Sequence, residues 1–509
     1  MRRTPTASTA DTTWLACEHA WLGDGMASNV VLGIAEGRIS HVVHRGPGND
    51  APRRGDDGAL PTGDPAHLPD AVHVPGVTLP GLVNAHSHAF HRLLRGRTHL
   101  PARPSTGAPG GDTFWTWRAR MYEAAAGLDP DSLHATAVAA FGEMALAGIT
   151  CVGEFHYLHH GPGGMAYDDP NAMGRALVAA ADDVGIRITL LDTLYLTGQV
   201  GATIDRPDLD PVQQRFSDRT AARWAERVAA LADSPTARIG AAIHSVRAVP
   251  PTSMAEAANA VDDAASPVRV LHAHVAEQPR EVADTQAVHD CSPTQLLADA
   301  GALSPTFTAV HAVWLDDESV DLLARAQATV CACPTTERDL ADGVVDGAGL
   351  ADAGVRLALG SDQHAVVDLF EEARALELDQ RMVTGVRGHH DPASLLAAAT
   401  IGGATSLGWP EVGRIAVGAA ADLTVVATDT VRLAGTPTRD LAAAVVHAAT
   451  ASDVTATMVA GEWIVRDGRH VRRDVVADLR TVVAALAPSG PPAGPPGPSG
   501  PGTDRKGTP

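Results

Sequence analysis

Two histidines separated by one residue follow an apolar run near residue 80. His86 and His88 end the segment Leu79-Pro-Gly-Leu-Val-Asn-Ala-His-Ser-His88. On a β-strand, residues i and i+2 point to the same face, so both imidazoles can reach one point at the C-terminal end of a strand. Imidazole nitrogens about 2 Å from the ion are typical zinc ligands. A His-x-His pair alone is weak evidence, but it indicates where a metal site would begin.

More polar residues fall at or just after the ends of later strand-like segments. They are His274 and Glu277 in His274-Val-Ala-Glu277, His311 in Ala309-Val-His-Ala312, and Asp362 in Gly360-Ser-Asp362. Taken singly, each is more simply a hydrogen-bonded histidine or a loop carboxylate. Taken together with the first pair, they predict a metal site. Three neutral imidazoles and one carboxylate leave a position for water, and zinc lowers the pKa of such a water toward ~7.

Lysine usage limits the kind of metal site. Many barrel hydrolases hold two metal ions bridged by a carboxylated lysine. The only lysine of this chain is Lys506, near its C-terminal end, so the segment that carries the candidate ligands has none. The sequence therefore predicts one metal ion per chain, unless another residue bridges a second.

Eight strand-like segments alternate with longer helical segments between residues 77 and 404. The predicted strands are Val77–Ala85, Ile149–Phe155, Ile186–Leu191, Ile239–Ile243, Val268–His274, Thr308–Val313, Ala328–Cys333 and Val355–Gly360. Eight successive strand–helix units favour an α/β fold of the (β/α)₈ TIM-barrel type over a doubly wound sheet. Active sites of this fold lie at the C-terminal ends of the strands, where the candidate ligands fall.

Short strands are predicted on both sides of the barrel segment. The turn Glu36-Gly37-Arg38 between alternating apolar residues indicates a hairpin, and strand-like segments return after Ala404. These later segments are Gly413–Gly418, Ala421–Val426, Val454–Gly461 and Trp463–Gly468. We expect both chain ends to form one small β-sandwich. The predicted division is residues 1–76 with a mobile loop at Gly46–Asp70, the barrel at 77–404, the second part of the sandwich at 405–487, and a disordered Pro/Gly tail at 488–509.

The composition excludes several classes of function. A formal net charge of −21 argues against a nucleic-acid or membrane-surface partner. No run approaches the ~18 apolar residues of a membrane span. The five cysteines are odd in number and lack zinc-finger spacing, which favours a reduced protein. No signal-peptide-like stretch follows Met1, so we expect a cytoplasmic enzyme.

Four further residues could bind a substrate beside the metal. Arg118 follows the first predicted strand, Tyr157 ends the second, and His244 and Arg247 end the fourth. Two arginines in so acidic a chain indicate a substrate with carboxylates, because a guanidinium binds a carboxylate through two parallel hydrogen bonds. The alternative is that each arginine pairs with a structural Asp or Glu.

The ligand pattern resembles that of the amidohydrolase superfamily. In its single-metal deaminases a His-x-x-Glu pattern, matched here by His274 and Glu277, supplies a metal ligand and a proton shuttle. The resemblance implies one zinc ion per chain, with the ligands His86, His88, His274 and Asp362. It also implies that Glu277, His311 and Asp362 are catalytic: Asp362 accepts the proton of the attacking water, Glu277 protonates the imino nitrogen, and His311 stabilises the adduct.

Longer stretches resemble the formimidoylglutamate deiminases of that superfamily, over roughly Trp14 to Gly468. They are Asn84-Ala-His-Ser-His-Ala-Phe90, Phe114-Trp-Thr-Trp-Arg118, Glu154-Phe-His-Tyr-Leu-His-His160, His244-Ser-Val-Arg-Ala-Val249, His274-Val-Ala-Glu-Gln278, Cys333-Pro-Thr-Thr-Glu337 and Gly360-Ser-Asp-Gln-His364. The resemblance implies hydrolysis of N-formimidoyl-L-glutamate to N-formyl-L-glutamate and ammonia, in histidine degradation. Arg118, Tyr157, His244 and Arg247 would hold the substrate carboxylates. His91, where family members often carry glutamine, would donate a further hydrogen bond.

Two alternatives remain open on the sequence. A deaminase of the same scaffold that acts on a purine, pyrimidine or triazine ring would need a flat apolar slot with amide groups instead of two arginines. A metal-free barrel retained as a binding or assembly module should have lost its ligands, whereas every expected ligand is present. We expect a homodimer that acts on a small molecule, with no nucleic-acid or membrane partner.

Overall fold

The computed structural model describes residues 12–44, 70–99, 113–262 and 266–487. The predicted mobile loop, apart from Asp70, and the predicted disordered tail lie outside the described residues. Both remain predictions.

The strands form two eight-stranded sheets. In chain order they are β1 Thr13–Trp21, β2 Met26–Ala35, β3 Arg38–Val43, β4 Val72–Pro80, β5 Leu82–Ser87, β6 Ile149–His156, β7 Arg187–Leu194, β8 Ala237–Ile243, β9 Leu271–Val275, β10 Phe307–His311, β11 Thr329–Ala332, β12 Arg356–Leu359, β13 Leu423–Val426, β14 Val454–Val459, β15 Glu462–Arg466 and β16 Arg469–His470. One sheet has the order β16-β15-β14-β13-β4-β1-β2-β3, and the other runs from β5 to β12 in chain order. The chain ends therefore build one sheet and the central segment builds the other.

The second sheet is a barrel. Every neighbouring pair from β5 to β12 is parallel. The barrel closes where the segment after β12 meets β5: the N–H groups of Ser361 and Asp362 donate to the carbonyl oxygen of His86 at 3.1 Å and 3.0 Å. Ser87 and Asp362 form a parallel bridge at the same place. The predicted (β/α)₈ barrel is confirmed.

Fifteen α-helices connect and flank the strands in the described part of the chain. They are α1 Phe114–Ala126, α2 Pro130–Leu146, α3 Ala172–Val184, α4 Ala221–Ala229, α5 Pro251–Asp262, α6 Pro279–His289, α7 Pro293–Asp299, α8 Asp317–Arg325, α9 Pro334–Asp339, α10 Gly347–Asp352, α11 Leu369–Thr384, α12 Pro392–Ala397, α13 Gly403–Ser406, α14 Leu441–Ala448 and α15 Val475–Leu486. Capping is visible at α2, where the Asp129 side chain accepts the Ser132 N–H and Pro130 occupies the first turn. Among the described residues, no helix is long and apolar enough to cross a membrane.

The sheet of the chain ends has an apolar core of its own. Leu15, Leu32 and Ile39 from the N-terminal strands are fully buried together with Leu423 from β13. The predicted hairpin is present: Glu36 and Gly37 have φ values of 52° and 72°, as a tight turn between β2 and β3 requires. The prediction that both chain ends join in one β-structure separate from the barrel is confirmed, and the predicted small β-sandwich is formed by a single eight-stranded sheet.

Two of the predicted strands were wrong. Val77–Ala85 is not one barrel strand, because the chain changes sheets at Gly81. Val77–Pro80 pairs with β13, and the barrel begins at Leu82. A Cβ at Gly81 would lie 2.2 Å from Oγ1 of Thr150, so the crossing is too close for any side chain. Gly413–Gly418 is not a strand, since its two glycines have φ values of 81° and 87° and form turns.

Candidate active site

The first two predicted ligands meet an aspartate where the barrel closes. His86 lies in β5 and His88 follows that strand. Their Nε2 atoms lie 3.2 Å and 3.3 Å from Oδ1 of Asp362. Main-chain bonds fix Asp362 there, since its N–H donates to the His86 carbonyl and its own carbonyl accepts the His88 N–H. Its φ of 37° is unusual for a residue other than glycine, so barrel closure holds it in a strained conformation.

A third imidazole comes from across the barrel. His274 lies in β9, and its Nε2 is 3.2 Å from the Nε2 of His86. Donor atoms about 2.0–2.1 Å from one tetrahedral ion lie about 3.3 Å from each other. The measured separations of 3.2 Å, 3.3 Å and 3.2 Å match that spacing. These three separations are those expected of donors around one divalent ion such as zinc.

Backbone carbonyls orient two of these rings. Nδ1 of His88 donates to the carbonyl oxygen of Phe155 at 2.8 Å, and Nδ1 of His274 donates to that of His244 at 2.9 Å. A hydrogen on Nδ1 leaves the lone pair on Nε2, which is the atom that faces Asp362 or His86. Bonds of this kind fix the tautomer of metal-binding imidazoles.

Burial and charge set the protonation states of the cluster. Burial lowers the pKa of His86 to about 3 and holds the pKa of His274 well below its usual value. Burial opposes ionisation of Asp362, but the neighbouring imidazoles of His86 and His88 outweigh it and hold that pKa well below its ordinary range. At neutral pH, His86 and His274 are therefore neutral and Asp362 is a carboxylate, as metal binding requires.

His311 faces carboxylates on both of its nitrogens. Its Nε2 lies 3.7 Å from Oε1 of Glu277, and its Nδ1 lies 3.4 Å from Oε1 of Glu337. The backbone turns sharply at the end of β10, where His311 and Ala312 have φ values of 67° and 55°. Burial alone would lower the pKa of His311, but these two carboxylates hold it well above its usual value. A donor atom of His311 also lies within 4.8 Å of those of His86, His274 and Asp362, so the ring is placed to act either as a further metal donor or as a cation facing the site.

One cavity opens onto this cluster. It is lined by all the sequence-predicted site residues except His86, which is buried beneath it: His88, His91, Arg118, Tyr157, His244, Arg247, His274, Glu277, His311 and Asp362. Nε2 of His91 lies 2.9 Å from the Tyr157 hydroxyl, so the two side chains are hydrogen-bonded. The structure therefore brings the metal donors and the predicted substrate-binding residues into one space.

The two cavity arginines have different partners. Arg118 donates from Nε to the Tyr122 hydroxyl at 2.7 Å, and no carboxylate among the described residues lies within ion-pair distance of it. Arg247, in contrast, lies 2.8 Å from Glu281 and 3.4 Å from Glu277. The alternative that an arginine pairs with a structural acid therefore holds in part for Arg247.

Several residues of the site were missed by the sequence reasoning. Glu337 and Glu281 approach His311 and Arg247, and the rest of the cavity wall is mainly aromatic or apolar, including Phe114, Trp117, Met121, Tyr122, Tyr195 and Phe216. Glu337 and two of the wall residues, Phe114 and Trp117, lie in stretches already noted for their similarity to deiminases. Glu281, Tyr195 and Phe216 gave no signal, because helix and loop orientation alone brings them here.

Several known proteins are similar to this chain. The model of the Amidohydrolase family matches residues 77–464. A formimidoylglutamate deiminase from Pseudomonas aeruginosa is 35% identical over 463 residues, which cover 89% of this chain and 94% of that protein. A 5-methylthioadenosine/S-adenosylhomocysteine deaminase from Halobacterium salinarum is 30% identical over 416 residues, or 81% of this chain and 85% of that protein.

Solved structures resemble the whole described architecture. An amidohydrolase from Brucella melitensis has a TM-score of 0.79 and 29% identity, covering 93% of this chain and 99% of its own. An adenosine deaminase from Xanthomonas campestris, crystallised with bound zinc, has a TM-score of 0.72 and 22% identity over 93% of this chain and 98% of its own. With the deiminase and deaminase relatives, these findings show a hydrolytic enzyme that acts on carbon–nitrogen bonds, not a barrel retained for binding alone. The chain belongs to the amidohydrolase family.

Proposed function

We propose that the enzyme hydrolyses N-formimidoyl-L-glutamate to N-formyl-L-glutamate and ammonia, as a step of histidine degradation. The observation that carries this proposal is the presence of Arg118 and Arg247 in the cavity that opens onto the metal-donor cluster. A substrate with two carboxylates at one end and a hydrolysable C–N bond at the other matches that arrangement. The relative from Pseudomonas aeruginosa supports the same substrate.

One zinc ion per chain would be held by His86, His88, His274 and Asp362. When bound, zinc would supply an activated water at neutral pH. The proposal of a single ion is supported by the donor spacing and by the absence of lysine from residues 77–404.

The carboxylates of the site are proposed to move protons. Hydrolysis adds water to the formimidoyl carbon and breaks a C–N bond, and both protons of the water end on the departing ammonia. Asp362 would accept the first proton, and Glu277 would deliver a proton to the imino nitrogen. His311, held as a cation between Glu277 and Glu337, would stabilise negative charge that develops on the attacking oxygen. General acid–base assistance of this kind contributes about 10²–10⁴-fold to the rate.

The polar wall of the cavity is proposed to bind the glutamate part of the substrate. Arg118 and Arg247 would pair with its carboxylates, while His244, Tyr157 and His91 would donate or relay hydrogen bonds. The His91–Tyr157 hydrogen bond supports a shared role for these two side chains. This assigns the arginines to specificity and the histidine–carboxylate cluster to chemistry.

A ring deaminase is the second candidate. The aromatic side chains of the cavity wall, among them Trp117 and Tyr195, could stack on a purine, and the relative from Halobacterium salinarum is named for an adenosine-type substrate. Against this, a purine base gives neither arginine a carboxylate partner. The linear amidine therefore fits the cavity better.

Ammonia release from the purified zinc-loaded enzyme tests the proposal. Formimidoylglutamate, 5-methylthioadenosine, guanine and cytosine would be supplied separately at equal concentrations. We expect turnover of formimidoylglutamate to exceed that of each ring substrate by at least about 10²-fold in kcat/KM, since the ring substrates have no carboxylate to pair with the arginines of the cavity. Faster release from any ring substrate would assign the enzyme to the other deaminases.

Two further proposals concern the state of the enzyme in the cell. We propose a homodimer and a cytoplasmic location, the latter in keeping with a metabolic role. Light scattering of the purified full chain checks the first, and fractionation of the source cells checks the second. The division at residues 76, 404 and 487 likewise stays a prediction, to be checked by limited proteolysis.

A further inference from the structure

Arg247 lies between two carboxylates that differ in distance. Its Nε is 2.8 Å from Oε2 of Glu281, and its Nη2 is 3.4 Å from Oε2 of Glu277. Coulomb attraction falls with distance, so the contact with Glu281 is the stronger of the two. The Glu281 side chain is fully buried, so water screens this contact little.

Glu281 is itself held firmly in place. Its second carboxylate oxygen, Oε1, accepts the backbone N–H of Ala276 at 2.9 Å. It lies in the first turn of α6, where the N-terminal end of a helix favours negative charge. The residues that line the cavity include Arg247 and Glu277 but not Glu281. Glu281 therefore contacts the guanidinium from behind, away from the space that a substrate would occupy.

The position of Arg247 has a consequence for Glu277. Without the charge of Glu281, the nearest carboxylate to the guanidinium would be that of Glu277, now 3.4 Å away. A short ion pair between them would occupy the carboxylate that is proposed to carry a proton. It would also turn the guanidinium away from a substrate carboxylate.

We propose that Glu281 is a positioning residue that keeps the contact between Arg247 and Glu277 long. Nη2 of Arg247 donates only a long hydrogen bond, of 3.4 Å, to Oε2 of Glu277. With Arg247 held in this way, the guanidinium can meet a carboxylate of the substrate, and no short ion pair competes with proton transfer by Glu277. This inference rests on the proposed deimination of an acidic substrate. It gives Glu281 a role in turnover although the residue does not reach the cavity.

The test begins with Glu281→Gln in the full-length, zinc-loaded enzyme. Glutamine keeps the size of the side chain and an oxygen that can accept the Ala276 N–H, but it removes the charge. We expect kcat for formimidoylglutamate to fall at least about tenfold, since Arg247 closes onto Glu277. Glu281→Asp, which keeps the charge, should retain more of kcat than Glu281→Gln. If aspartate is no better than glutamine, charge is not what acts and the proposal is wrong.

A double variant separates positioning from simple bracing. Adding Arg247→Met to Glu281→Gln removes the guanidinium that would block Glu277. We expect kcat of the double variant to rise above that of Glu281→Gln, while KM stays as high as in Arg247→Met alone. If Glu281 only stabilises the fold, the losses of kcat caused by the two substitutions should add, and kcat of the double variant should fall below that of either single variant.

Glu411→Gln is the matched control. Glu411 also forms an arginine ion pair, with Oε1 2.8 Å from Nη2 of Arg238, but neither residue lines the cavity. We expect its turnover to equal that of the parent enzyme. A loss as large as that of Glu281→Gln would show that any broken arginine pair slows the enzyme, and would overturn the proposal.

A crystal structure of Glu281→Gln supplies a readout that needs no substrate. We expect the Arg247–Glu277 separation to fall below 3.4 Å, and an unchanged separation would refute the positioning role. If the parent enzyme releases no ammonia from formimidoylglutamate, the proposed function fails. The separation in the variant crystal still decides the role of Glu281 in that case.

Discussion

Arg118→Met tests the proposed substrate most directly. Arg118 lies in α1, and its Nε donates to the Tyr122 hydroxyl at 2.7 Å. Its guanidinium carbon lies 5.6 Å from the ring centre of Trp115 and 5.1 Å from that of Tyr122. These neutral contacts orient the guanidinium without neutralising it. Its positive charge is therefore available to a carboxylate in the cavity.

The expected loss of kcat/KM in Arg118→Met follows from these contacts. Truncating one member of a desolvated charge pair costs about 2–5 kcal/mol, partly because the other charge is left unpaired. Arg118 is only partly buried, so we expect about 3 kcal/mol, which is roughly 10²-fold in kcat/KM. Methionine keeps the apolar stem, so the loss reports the charge and its hydrogen bonds.

An ammonia-release assay with two substrates shows whether Arg118 binds a substrate carboxylate or only stabilises the fold. Formimidoylglutamate should lose about 10²-fold in kcat/KM, whereas a formimidoyl alkylamine without carboxylates should be a poor substrate for both enzymes and scarcely change. Arg223→Met, an exposed substitution on α4, is the control and should leave both rates unaltered. Equal losses for the charged and the neutral substrate, with a lower melting temperature, would refute the assignment of Arg118 to a substrate carboxylate.

Three further predictions concern catalysis, metal and pH. Glu277→Gln should keep its zinc but lose about 10²-fold or more in kcat, because an amide cannot transfer a proton; near-normal turnover would exclude Glu277 as the shuttle. Elemental analysis should find one tightly bound zinc per active chain, and chelation should abolish activity that added zinc restores; two tightly held ions would contradict the single site. Burial lowers the pKa values of His159 and His272 to about 4, against about 6.5 in an unfolded chain, so below pH 6.5 the unfolded state binds more protons and stability falls as the pH drops toward 4. Melting temperatures measured from pH 7 to 4 check this, and a constant value would contradict it.

The barrel was predictable because its strands are buried on both faces. Such strands are continuous apolar runs in sequence, and the predicted Ile149–Phe155 and Ile239–Ile243 lie within β6 and β8. Because of the same property, the passage of the chain from one sheet to the other at Gly81 could not be predicted from the sequence. One unbroken apolar run there serves two different sheets, and only tertiary pairing shows that Val77–Pro80 belongs with β13.

The site was predictable where side-chain direction follows from a strand. His86 and His88 face one point because alternate residues of a strand share a face, and Asp362 was placed by its position after the last strand. No comparable rule predicts from sequence which side chains on helices will reach the site. The contact of Glu281 with Arg247 depends on how α6 leaves the barrel, and the contact of Glu337 with His311 depends on a left-handed turn at the end of β10.

Because the barrel closes between its first and last strands, the proposed metal donors come together only when the barrel is complete. Ser87 is hydrogen-bonded to His364, and 277 residues separate them, so the donor set is split between an early and a late part of the polypeptide. During synthesis His86 and His88 emerge long before Asp362, and they meet it only after all eight strands have been made and joined. If the proposed site holds zinc, stable loading would therefore follow completion of the barrel, and the metal content of a truncated chain would report how far assembly has gone.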